Sequence, residues 1–157
     1  MADPSILSVV IGDMIGARIC VKYKCKYVKT YLYSSSINGM LNKVNDNKIY
    51  DELKYQLRSY DEIANEAYGE LLKRNHEPKD ISTMNKLSAK MSVGINTIIS
   101  NKPSHIADML IKGNTMGVTG ITKSLNSHKN ADQEIQALAD RFIKLEQSNI
   151  ERLMKFL

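Results

Sequence analysis

The chain has 157 residues, 43% of them hydrophobic, with 22 Lys and Arg against 17 Asp and Glu, a formal net charge of +5. One domain of this length buries roughly 70% of its unfolded surface and needs no metal or disulfide staple to fold. The only two cysteines, Cys20 and Cys25, stand five apart, which fits neither a zinc knuckle nor a redox pair, and no run of 18 apolar residues is present, so free reduced thiols and a cytoplasmic protein without a membrane span are expected.

Residues 1–21 make an N-terminal arm whose form the sequence leaves open. Ile6, Val10, Met14, Ala17 and Val21 keep helical spacing, yet Val9, Val10, Ile11 and Ile15 are β-branched and Gly12 and Gly16 weaken a helix. Asp13 and Arg18 interrupt its apolar part, and no basic residue precedes it, so it makes a poor signal peptide. A bundle domain is expected over residues 22–157.

Residues 22–33 interleave Lys22, Lys24, Lys26 and Lys29 with Tyr23, Tyr27, Tyr31 and Tyr33. One reading is an anion or nucleic-acid surface of lysines and aromatic platforms. The preferred reading is the start of an amphipathic helix with snorkelling lysines, because the patch is short and lacks arginine. Residues 1–50 hold seven basic and three acidic residues. The remainder is nearly neutral and offers no general nucleic-acid footprint.

A helix is expected from this segment to Val44, with Ile37, Met40, Leu41 and Val44 inward and Asn45, Asp46 and Asn47 as a turn. The next spans 48–74, where Leu53, Leu57, Tyr60, Ala64, Ala67 and Leu71 step by four or three. Residues 75–80 break it at Pro78. A helix over 82–100 turns Met84, Leu87, Met91, Ile95 and Ile98 inward, and Pro103 suits the first turn of the following one.

That central helix, 103–126, gathers Ile106, Met109, Leu110, Gly113, Met116, Gly117, Gly120, Ile121 and Ser124 on one face. Each glycine costs a helix about 1 kcal/mol relative to alanine. Three on a single stripe point to close approach of another helix. Lys112, Asn114 and Lys123 exclude a bilayer setting for the spacing of Gly113 and Gly117. After a turn at 127–130, Asn130 and Gln133 read as an N-cap pair for a last helix over 131–156, with Ile135, Leu138, Phe142, Leu145, Leu153 and Phe156 inward. Long amphipathic helices with short connections predict an all-α, antiparallel up-down bundle of four to five long helices.

The run Ser-His-Ile-Ala-Asp-Met-Leu-Ile-Lys-Gly-Asn-Thr-Met-Gly at 104–117 resembles a motif in small, uncharacterised ferritin-like bundle proteins of anaerobic spore-forming bacteria. Phe-Ile-Lys-Leu-Glu-Gln-Ser-Asn-Ile-Glu-Arg-Leu at 142–153 is also similar to theirs, as, more loosely, is Tyr-Asp-Glu-Ile-Ala at 60–64. The resemblance spans about residues 28–157. It implies a ferritin-like antiparallel bundle and no particular activity.

Ferritin-like di-iron sites take a glutamate from each of two helices and Glu-x-x-His from each of the other two. This chain has no Glu-x-x-His, and of its three histidines His76 and His128 fall in expected turns. Glu62 and Glu66 lie off the apolar stripe and read as surface charges. Glu146 and Asn149 lie within the stripe of the last helix, at the i, i+3 spacing of Glu-x-x-His. They read as a satisfied polar pair fixing helix register or, alternatively, as a degenerate site for iron or manganese with His105 and Asp108. No histidine stands near the cysteines, and no glycine lies between a strand and a helix, so neither a nucleophile nor a phosphate loop is expected. The preferred reading is a non-enzymatic structural or interaction bundle, without cofactor, that binds itself or a protein partner.

Overall fold

The structure, a computed structural model, describes residue 37, residues 39–73 and residues 101–157. The expectations for residues 1–21, for Lys22, Lys24, Lys26 and Lys29, for the break at 75–80 and for a helix at 82–100 lie outside them. Helix dominates the described residues, and no strand occurs among them.

A helical turn ending at Leu41 comes first. The chain closes it with a hydrogen bond from the Lys43 amide to the Met40 carbonyl, 2.9 Å, three residues before Asp46. That helix therefore stops short of the expected Val44. Asp46 then starts α1, Asn47–Lys73. Its Oδ1 accepts the amides of Lys48 at 2.9 Å and Ile49 at 3.1 Å. This satisfies two of the donors that a helix start leaves open. The expected turn at Asn45, Asp46 and Asn47 is thus a helix cap.

α2 runs Pro103–Ser127. Pro103 sits in its first turn, where a missing amide hydrogen costs nothing, and Lys102 before it is extended. The helix ends at His128, whose Nδ1 lies 2.9 Å from the Ser124 carbonyl and whose amide donates to Leu125 at 3.1 Å. α3, Gln133–Leu153, begins later than expected. Asp132, not Asn130, holds the cap position, and its side chain makes no capping bond. Instead the Gln136 side chain donates to the Ala131 carbonyl at 2.7 Å and ties the linker down. The last turn tightens to a 3-10 helix, Met154–Phe156, rather than continuing as α-helix.

Cross-links set the directions. As numbering rises along α1 through Glu52, Tyr60 and Glu66, the partners on α3 fall through Arg152, Asn149 and Arg141. α1 and α3 are therefore antiparallel. The short linker 128–132 makes α2 and α3 a hairpin, and the 3-10 turn packs back on α2. α3 thus lies against both other helices, and α1 and α2 run the same way.

One apolar core joins them. Tyr60, Phe142, Ile49, Leu53, Ile106, Leu110 and Ile121 are fully buried. Each such side chain contributes about 1.5–3 kcal/mol. The buried faces keep the expected positions, Ala67, Gly113 and Gly117 among them, and widen to take in others. On α1, Ile49, Glu52, Gln56 and Ile63 join Leu53 and Tyr60, while Leu57 is only partly buried. On α2, Ala107 and Asn114 are buried and Met109, Met116 and Gly120 only partly so. On α3, Ala139, Glu146 and Asn149 share the face with Ile135, Phe142 and Leu153, and Leu138 and Leu145 flank it. Among the described residues no helix is long and apolar enough to cross a membrane.

Candidate functional site

The seam between α1 and α3 carries the buried polar groups. On α1, Glu52, Gln56 and Tyr60 recur every four residues, so they stack along one line of the helix. On α3, Phe142, Glu146, Asn149 and Leu153 step by four, three and four and face that line. Two polar residues thus fall where a bundle normally places apolar ones.

Tyr60 anchors the inner end. Its ring tilts against Phe142 with centroids 5.9 Å apart. A tilted pair at this separation lies within the range where aromatic rings attract. Asn149 Nδ2 donates to the Tyr60 hydroxyl oxygen at 3.0 Å. The hydroxyl in turn donates to Glu146. Burial pushes the Glu146 carboxyl up to about 8, while the Tyr60 hydrogen bond pulls the other way. Desolvation wins because a buried carboxylate gives up the solvation of a full charge, and one neutral hydroxyl returns only part of it. Glu146 therefore carries a proton at neutral pH.

Glu52 and Arg152 close the outer end. Arg152 Nε lies 2.9 Å from each Glu52 carboxylate oxygen, and its Nη2 lies 2.7 Å from Oε2. Gln56 Nε2 adds a bond to Glu52 Oε1 at 3.0 Å. The guanidinium also lies over the Tyr55 ring, 4.0 Å from its centroid. The Glu52 hydrogen bond holds the Arg152 guanidinium above its ordinary range. This charge is fully matched by its partner carboxylate.

The candidate metal ligands do not converge. Glu146 and Asn149 meet each other's partner Tyr60 in the core. His105 is exposed in the first turn of α2. Asp108 is half-exposed and pairs with Lys112 at 2.7 Å, one turn along the same helix. Among the described residues no group of three or more His, Cys, Asp and Glu side chains could hold a metal ion. Glu62 and Glu66 face solvent as expected, and Glu66 pairs with Arg141 of α3. Lys22, Lys24, Lys26, Lys29, Cys20, Cys25 and His76 lie outside the described residues.

An open cleft of about 440 Å³ lies between the end of α1 and the start of α3. Glu66, Glu70, Lys73, Glu134, Leu138 and Arg141 line it. Its charges are engaged with each other, Arg141 with Glu66 and Lys73 with Glu70 at 2.7 Å. Exposed pairs of this kind hold little free energy.

Sequence reasoning singled out Glu146 and Asn149 but missed Tyr60 as their partner and the whole Glu52, Gln56 and Arg152 group. The four-residue recurrence of 52, 56 and 60 puts Glu52 and Gln56 on the line of Tyr60, but it does not name Arg152 as their partner. Compared with family models, curated proteins and solved structures, the chain matches none of them.

Proposed function

We propose that this chain is a non-enzymatic structural or interaction protein of a bacterial cytoplasm, a ferritin-like up-down bundle that associates with itself or with a protein partner and works without a metal or cofactor. The observation that carries the reading is the use to which the buried polar groups are put. Tyr60 with Asn149, and Glu52 with Arg152, join α1 to α3, so these side chains serve the frame. Support for the bundle order comes from α1 and α2 running the same way on either side of α3.

Two measurements test this. Elemental analysis of natively purified, tag-free protein is expected to find no stoichiometric metal; near-equimolar iron or manganese would overturn the reading and restore the metal alternative. Light scattering is expected to give a mass above that of one chain. A monomer at micromolar concentration that captures no partner protein removes the interaction role.

A further inference from the structure

We infer that Glu146, Tyr60, Asn149 and Gln56 form one hydrogen-bond chain across the seam of α1 and α3 whose polarity reverses when Glu146 gains or loses a proton. As the side chains stand, Asn149 Nδ2 donates to the Tyr60 oxygen at 3.0 Å and Tyr60 donates to Glu146. Both of these donors point towards the carboxyl, the arrangement that suits a carboxylate. It leaves two buried amide oxygens, Asn149 Oδ1 and Gln56 Oε1, without a hydrogen-bond partner. Buried polar atoms in native proteins seldom stay so.

The protonated acid resolves this. Its hydroxyl donates to the Tyr60 oxygen, the Tyr60 hydroxyl turns to Asn149, and the Asn149 amide turns over to present Oδ1. Nδ2 then occupies the side that Oδ1 leaves. The chain as inferred takes Gln56 Oε1 as the acceptor there, because it is the other buried amide oxygen of the seam without a partner and Gln56 lies on α1 between Glu52, joined to Arg152, and Tyr60, joined to Asn149. Gln56 Nε2 is fixed on Glu52 at 3.0 Å, so its amide keeps its orientation. The one proton is exchanged with solvent, no covalent bond between heavy atoms changes, and every amide oxygen of the chain gains a donor.

Burial, which pushes Glu146 up to about 8, places the reversal near neutral to mildly alkaline pH. Among the described residues, Tyr60 is the titratable group facing Glu146 from α1. The other charges along the seam are matched, Glu52 by Arg152 and Glu66 by Arg141. On α2, Lys112 pairs with Asp108, and His105 and Lys123 are exposed.

Nuclear magnetic resonance of the whole chain, labelled at Glu and Asn side chains, tests the chain directly. The Glu146 carboxyl signal, assigned by its loss in E146Q, is expected to titrate several pH units above an ordinary glutamate. The Asn149 side-chain amide signals are expected to shift with the same midpoint. In E146Q, whose amide is a permanent donor, they should hold the low-pH position at every pH. In Y60F the Glu146 titration should persist while Asn149 stops following it. The proposal is overturned if Glu146 titrates in the ordinary range, or if the Asn149 signals ignore its midpoint in the wild-type protein. The wild-type titration decides the matter even if Y60F does not fold.

Discussion

α3 meets its two neighbours through different chemistry. Towards α1 it presents Glu146, Asn149 and Arg152, each bonded to a named partner. α2 brings Ile106, Ala107, Leu110, Gly113, Gly117 and Ile121 to the shared core, with Asn114 as its buried polar exception. Apolar burial is non-directional and scales with area. A hydrogen bond holds only at one distance and angle. Small and apolar residues thus fill the shared core on one side, and cross-links set longitudinal register on the other. The difference is sharpest at the level of single substitutions, because the two sides should fail in different ways.

The largest effect is expected where both sides meet. Phe142 is fully buried and packs on Tyr60. Phe142→Ala should cost about 3–5 kcal/mol, the transfer term plus the cavity left behind. Chemical denaturation would show it, and a cost below about 1 kcal/mol would mean that the ring does not hold the seam to the core.

Next comes pH, which should act on the α1 side alone. The Glu146 carboxyl stands at about 8 in the fold against 4.5 for an ordinary glutamate. Between these values the unfolded chain has released the proton and the folded chain still holds it, so rising pH favours unfolding. The contribution is complete below about 4.5, falls by about 1.4 kcal/mol per pH unit at most, and is exhausted above about 8. Melting temperatures across that range should therefore decline in the wild type. Glu146→Gln, uncharged throughout, should flatten the profile. A parallel decline in both proteins would assign the pH dependence to other groups.

Much of this division was legible in the sequence and part was not. Helix periods placed α1 and α2 to within a residue or two, because long stripes average over local exceptions. Glu146 and Asn149 stood out because they interrupt an apolar line that continues on both sides of them. Glu52 and Gln56 did not, since their charge and polarity read as solvent-facing when considered alone. What draws Glu52 inward is Arg152, 100 residues further along the chain. No local pattern reports such a partner. The caps of α1 and α3 were missed for a related reason: Asp46 and Gln136 satisfy open backbone groups by side-chain bonds that residue type permits but does not compel.

On the α2 side, Gly117→Leu should destabilise by about 1–3 kcal/mol through overpacking. The position is buried. Its signature differs from that of the seam: the loss should be independent of pH between 4.5 and 8, and the Asn149 amide signals should stay in place. An unchanged melting temperature would show that close approach at this glycine is not required, and the proposed contrast between the two sides would fail there.

Gly69 gives the smallest effect, with the opposite sign. It lies inside α1 and in the wall of the open cleft, and an added Cβ would meet nothing within 4 Å. Gly117 is buried and Gly69 is not, so the same residue type should respond oppositely at the two positions. Gly69→Ala lowers the entropy lost on folding and should stabilise by about 0.5–1 kcal/mol. Because the cleft charges are already paired with each other, filling its wall by one methyl group should leave the rest of the fold unmoved. A loss of stability instead would mean that a further part of the chain or a second copy closes over the cleft at Gly69, and the end of α1 would then belong to an interface rather than to the open surface.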